Sequence, residues 1–179
     1  LIGPSAAGKT SLARAILGVW PIASGKVRLD GADIDQFDRD TLGPHLGYLP
    51  QDIELFDGSI AENICRFSDP DPDSIIEASK TACIHHMILG LPEGYETQIT
   101  STSGALSAGQ RQRVGLARAL YGKPKLIILD EPNSNLDEQG EHELLLALRQ
   151  MKEAGSTVIV ISHRTSILAL ADKLMLMRE

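Results

Sequence analysis

GPSAAGKT, Gly3 to Thr10, runs straight into the helix-prone SLARAIL, Ser11 to Leu17, and this junction decides the fold. The octet matches GxxxxGK[ST], in which small residues let successive backbone amides curl around an anion while the following helix turns its positive end toward it. Lys9 would reach β and γ phosphates, and the Thr10 hydroxyl would hold magnesium. Gly3, Pro4, Ser5, Ala6, Ala7, Gly8, Lys9, Thr10 and Ser11 are therefore the candidate phosphate-binding residues. The alternative is a glycine turn before a surface helix. Only Leu1 and Ile2 precede the loop, a stub of the strand that should feed it. The expectation is a domain whose N-terminal β region is truncated.

Strand-like and helical runs alternate behind this loop. LIIL, Leu126 to Leu129, and TVIVI, Thr157 to Ile161, are short apolar runs of the kind buried on both faces of a parallel sheet. The helical EQGEHELLLALRQMK, Glu138 to Lys152, separates them and completes a β-α-β unit. KVRLDGAD, Lys26 to Asp33, alternates around an Asp-Gly turn and predicts an edge hairpin. Between Ser59 and Gly122 strand signals vanish, and SIAENIC, PDSIIEASKTACIHHMIL and SAGQRQRVGLARAL read as successive helices. DKLMLMRE, Asp172 to Glu179, reads as a last short strand. The fold class is α/β.

Composition narrows the function. The 179 residues, 42% hydrophobic, bury one substantial core and a small second lobe at most. A net charge of -7 supplies no field for nucleic acid. Cys65 and Cys83 form no CxxC pair, which fits reduced thiols in a cytosolic compartment. No apolar run reaches the length of a membrane span.

Two further stretches carry chemistry. LIILDEP, Leu126 to Pro132, ends a buried strand in adjacent acids: Asp130 can hold magnesium through water, and Glu131 can orient an attacking water. ALSAGQRQRVGLARAL, Ala105 to Leu120, opens with Ser107 and Gln110 in the spacing of a capping box. Its small residues would equally let an anion approach the exposed amides of a helix start.

With GPSAAGKT, LSAGQ and LDEP in this order, the sequence resembles the ATP-binding cassette family along nearly its whole length. The resemblance implies a P-loop NTPase core with a mostly parallel sheet and an inserted helical subdomain. Residues 1–58 would form the P-loop and Q-loop part of the core, 59–122 the helical subdomain, and 123–179 the remainder. It implies ATP and Mg2+ as ligands. Leu106 to Gln110 corresponds to the signature motif, so Ser107, Gly109 and Gln110 would contact the γ-phosphate on the P-loop of a second subunit. Ala108 stands where the family pattern has glycine. Gln51 corresponds to the Q-loop glutamine near magnesium and the attacking water, Asp137 closes the D-loop SNLD, and His163 corresponds to the switch histidine that touches the γ-phosphate. His85 and His86 do not share a helix face and are left structural.

QDIELFDGSIAENI, Gln51 to Ile64, is similar to the exporter pattern, and LSAGQRQR with LDEPNSNLD looks like the type I secretion branch. That resemblance implies an ATPase on the cytoplasmic face of the bacterial inner membrane, paired with a second copy and with a transmembrane domain on the same full-length chain. A periplasmic adaptor and an outer-membrane channel would complete the assembly, with no nucleic acid involved. A soluble cassette ATPase acting on ribosomes or DNA would share every catalytic motif. TSTSG, Thr100 to Gly104, departs from the glycine- and acid-containing segment that exporters carry before the signature.

Overall fold

A computed structural model describes residues 1–100 and 106–178. The TSTSG departure therefore falls, apart from Thr100, outside the described residues. The strands are β1 (Arg28–Leu29), β2 (Ala32–Asp33), β3 (Leu46–Leu49), β4 (Gly58–Ser59), β5 (Gln98–Ile99), β6 (Leu126–Asp130) and β7 (Thr157–Ile161). The helices are α1 (Lys9–Ile16), α2 (Arg39–Leu42), α3 (Ile60–Ile64), α4 (Pro72–Thr81), α5 (His85–Leu89), α6 (Ala108–Leu120), α7 (Glu138–Glu153) and α8 (Thr165–Leu168). The α/β class stands.

Strand β6 is the centre of a parallel sheet in the order β3-β6-β7. All five of its residues are buried, as a continuous apolar run requires when helices cover both faces. Its period of two divides the core. Leu126 and Ile128 pack with Ala13 and Leu17 on the α1 side, while Ile127 and Leu129 join Val114, Leu116, Leu144 and Leu148 from α6 and α7 on the other. That second cluster continues through Ile60, Ile64, Ile75 and Ile88, so the helices of the 59–122 segment pack onto the sheet through uninterrupted apolar contact.

The hairpin expected from KVRLDGAD is β1-β2, and Asp30 and Gly31 turn it at φ values of 49° and 86°. Three expectations need correction. Segment 59–122 is not wholly helical, because Gln98–Ile99 pairs antiparallel with Gly58–Ser59; strands of two residues leave no periodicity to read. The long helix read over PDSIIEASKTACIHHMIL breaks at Cys83, whose φ of 53° ends α4 before α5 begins. DKLMLMRE is not a regular strand: Leu176 makes one parallel bridge to Ile2, and its neighbours are mostly exposed. TVIVI does pair with β6, but only Ile161 is fully buried, because β7 lies outside the central strand.

Ile128 is fully buried at the middle of β6. Ile128→Ala should cost about 2–5 kcal/mol by removing methyl groups the sheet cannot collapse to replace, measurable as a lower denaturant midpoint at unchanged m.

Candidate nucleotide-binding site

The sheet register gathers the candidate residues. Leu49, Leu129 and Val160 are aligned across the three parallel strands. Each chain leaves the sheet at the same edge shortly afterwards, with Gln51 after β3, Asp130 and Glu131 at the end of β6, and Ser162 and His163 after β7. The Leu1 amine donates to Val160 O at 2.7 Å, which lays the first residues beside β7 and delivers the loop from Gly3 to Thr10 to that edge as well. This carboxyl edge is where open α/β sheets bind ligands.

Local backbone geometry shapes the loop. Gly8 has a φ of 83°, a left-handed conformation that a side chain would strain, and it immediately precedes α1. Lys9 folds back, its Nζ donating to Gly3 O at 2.9 Å and to Pro4 O at 2.7 Å. Thr10 Oγ1 donates to Asp130 Oδ2 at 2.6 Å, joining the first helix to the end of the central strand. Asp130 is 1% exposed, and its Oδ1 has no protein partner. A hydroxyl and a buried carboxylate with an unused oxygen form a donor set that fits a hard divalent cation completed by water and phosphate oxygens. Among the described residues no group of three or more His, Cys, Asp or Glu could hold a metal by itself, so any metal here depends on such outside ligands.

Glu131 sits in a left-handed conformation at φ 48°, and its amide donates to Ile161 O at 2.9 Å. Its Oε1 lies 3.5 Å from His163 Nε2, close enough for attraction when the imidazole is protonated. Ser162 Oγ donates to Asn133 Oδ1 at 2.9 Å in a buried link between the loops that carry these two residues. Gln51 is exposed, and among the described residues no hydrogen bond ties it to Thr10 or Asp130.

The other group stands apart. Ser107 N-caps α6 with a complete capping box: its Oγ accepts from the Gln110 amide at 3.2 Å, and its own amide donates to Gln110 Oε1 at 2.8 Å. Ser107 and Ala108 are exposed, and no hydrogen bond connects Ser107, Gly109 or Gln110 to the P-loop among the described residues. Gly109 packs against the following loop, since a Cβ there would lie 3.1 Å from Asn135 O. Asp137 N-caps α7, its Oδ1 accepting from the Gly140 amide at 2.8 Å. Away from the site, His85 Nδ1 meets Tyr95 Oη at 2.8 Å; burial, helped by Lys80 and His86, lowers its pKa and favours the neutral imidazole that such a contact suits.

Two buried amides escaped the sequence reading. Asn63 donates to Phe56 O and Ser59 O and accepts from the Phe56 amide, clamping the segment after Gln51. Gln112 bonds the loop after β6, with Nε2 2.5 Å from Pro132 O and Oε1 3.1 Å from the Asn135 amide. The available signal was position: Gln112 heads the stripe Gly115, Leu116, Ala119, Leu120 at helical spacing, a polar residue where the core face begins.

These features define a P-loop nucleotide-binding domain with a helical insert. Residues 1–134 match the ABC transporter family, and the chain belongs to that family. It is 58% identical over its full length to the type I secretion system ATP-binding protein PrsD of Rhizobium meliloti (strain 1021), covering 31% of that protein. It is 38% identical over 97% of its length to the colicin V secretion/processing ATP-binding protein CvaB of Escherichia coli, covering 24% of it. Among solved structures, a bacterial Atm1-family ABC exporter with ATP bound superposes with a TM-score of 0.88 over 99% of the chain at 34% identity, and 31% of that exporter is covered. The chain thus spans about a third or less of the length of these relatives.

Thr10→Val keeps the shape at α1 but removes the donor to a buried carboxylate oxygen. Stability should fall by about 1–3 kcal/mol, and urea unfolding at neutral pH measures it.

Proposed function

We propose that this chain is the ATP-hydrolysing part of an exporter working in type I secretion, acting as one of two nucleotide-binding units that close around ATP. The observation that carries the reading is the division of the site. Thr10, Asp130, Glu131 and His163 converge at one sheet edge, whereas Ser107, exposed at the start of the signature helix, makes no hydrogen bond to its own P-loop among the described residues. The composite arrangement completes each site with a partner's α6.

In this reading residues 1–58 and 123–179 form the nucleotide-binding core and 59–122 carries the signature. Loop amides from Gly3 to Ser11 and the Lys9 ammonium bind phosphate oxygens, and Ser107, Gly109 and Gln110 approach the same phosphates from the partner. Thr10, Asp130 and Gln51 would hold Mg2+, which supplies positive charge against the phosphates. Glu131 orients the attacking water and accepts its proton, while His163, 3.5 Å away, keeps that carboxylate and the γ-phosphate in one frame. Asp137 sits beside the partner's site through the D-loop. Because ATP binds the closed pair better than the open one, closure follows binding and reopening follows hydrolysis.

The export assignment draws on the relatives, two of whose names specify secretion and a third an ABC exporter. Segment Gln51–Ile64 supports it, since Asn63 holds the backbone of Phe56, a residue left 60% exposed beside Phe67 and Arg118, as an apolar contact for a membrane domain. No described helix is long and apolar enough to cross a membrane. By likeness to the secretion relatives, the proposed assembly adds a transmembrane domain, a periplasmic adaptor and an outer-membrane channel, with this chain on the cytoplasmic face of the bacterial inner membrane.

Glu131→Gln keeps the shape but cannot take a proton. ATP hydrolysis in the full-length protein should fall about a hundredfold or more, while ATP stays occluded and survives rapid desalting. Normal turnover would remove Glu131 from this role.

Mixing tests the division between subunits. Lys9→Ala disables a P-loop, and Ser107→Arg blocks a helix start. Each homodimer should be nearly inactive, yet a heterodimer joins one intact P-loop to one intact signature, so ATP turnover should partly return. Verified heterodimers with neither turnover nor ATP occlusion would reject the composite site.

A further inference from the structure

Gln112 lies on the second turn of α6, 2% exposed, and uses both ends of its amide. Nε2 donates to Pro132 O at 2.5 Å and reaches toward Glu131 O at 3.5 Å; Oε1 accepts from the Asn135 amide at 3.1 Å. All three groups belong to the short loop that leaves β6. On the other side of the same residue, the Glu131 amide is held by Ile161 O. The Glu131 carbonyl accepts from the Ser134 amide at 3.1 Å, and Gln112 fixes the next carbonyl, Pro132 O, so the peptide groups around Glu131 are restrained on both sides while its φ stands at 48°, a region a glutamate seldom enters without surrounding support.

We propose that Gln112 is a positioning residue for hydrolysis: through Pro132 O and the Asn135 amide it holds the loop that follows Glu131 so that the carboxylate faces the attacking water, and it ties that geometry to the orientation of α6. The inference rests on the reading of Glu131 given above. Its physical basis is that a carboxylate's direction follows from its backbone, and a left-handed backbone is retained only where its neighbours hold it. Removing the side-chain amide leaves Pro132 O and the Asn135 amide without partners and frees the loop to relax toward ordinary φ values. Helix α6 also carries Ser107 at its start, five residues away. A tilt of α6 as Ser107 meets the partner's phosphate would therefore be transmitted through Gln112 to Glu131 of the same chain. The site that a subunit completes for its partner and the site it owns become mechanically joined.

A residue that merely fills a polar gap would affect stability and closure together, whereas a positioning residue resembles Glu131 itself. Gln112→Met, of similar length but without hydrogen bonds, and Glu131→Gln are compared in the full-length protein. For Gln112→Met, kcat should fall about tenfold or more with KM for ATP changed less than about twofold, and occluded ATP should still be retained after rapid desalting. Unchanged kcat, a rise in KM matching the fall in kcat, or loss of occlusion overturns the proposal. If Glu131→Gln turns over normally, the reading of Glu131 fails and the role of Gln112 falls with it. If Glu131→Gln is blocked while Gln112→Met is normal, only Gln112 is wrong. Should Gln112→Met not fold, Gln112→Glu decides. Its protonated carboxyl can both donate to Pro132 O and accept from the Asn135 amide, but its ionised form has no donor. Burial raises a carboxyl pKa, so kcat relative to the parent should decline as pH rises from about 6 to 9, and a pH-independent ratio overturns the proposal.

Discussion

The rest of the structure depends on the register of β6 between β3 and β7. Because Leu129 stands level with both Leu49 and Val160, three chain segments distant in sequence leave the sheet together. A slip of one residue would turn Ile127 and Leu129 from the helical cluster toward α1 and carry Asp130 away from Thr10. Burial therefore does two things at once. The apolar run that stabilises the sheet also fixes where its polar ends emerge.

Helix α6 transmits that alignment to the helical segment. Gly115 lets it approach β3 closely, since a Cβ there would lie 3.0 Å from Ile53 and 3.1 Å from Leu49. Gly47 answers from the strand, where any Cβ would collide with Ala119 O. At the far end the Arg66 guanidinium donates to Arg118 O and Ala119 O of the last turn and to Gly43 O and Leu46 O at the entry to β3. These carbonyls include groups that a helix end leaves without partners, and a half-buried cation satisfies several of them together. The strand that leads to Gln51 and the helix that begins at Ser107 are thus braced by one side chain.

How much of this the sequence displays follows from the range of each interaction. GPSAAGKT, the hairpin around Asp30–Gly31 and the Ser107–Gln110 capping box are local, and their residue types at fixed offsets correspond to the geometry found. LIILD and TVIVI are legible as strands because burial imposes long apolar runs. The β4–β5 pair is illegible for the opposite reason: two residues on each side, far apart in sequence, have no period. Cys83 carries no mark of its left-handed φ, since the residue type does not favour it. Asn63 and Gln112 pass for ordinary helix polar residues until the loops they hold are in place. The phosphate and magnesium roles of Lys9, Thr10 and Asp130 follow from motif chemistry, whereas those of Gln51, Asp137, His163 and the signature residues rest on family resemblance, because their spacing alone is open to a structural reading.

The adjacent acids Asp130 and Glu131 differ in environment, and the difference suits the roles proposed for them. Asp130 is within the sheet, 1% exposed, with one oxygen accepting from Thr10 and the other unpaired by protein. An enclosed carboxylate with an unused oxygen leaves one ligand position open, which suits the cation role proposed for it. Glu131 has stepped out of the sheet. Its side chain is 22% exposed and lies 3.5 Å from His163, so it can meet water, as the role proposed for it requires. The left-handed turn at Glu131 creates that difference, because extended backbone would have continued the strand. In the proposed reading, strain at this one residue is the cost of separating cation binding from water activation, and it is offset by the bond of the Glu131 amide to Ile161 O, that of the Ser134 amide to the Glu131 carbonyl, and Gln112's hold on Pro132 O.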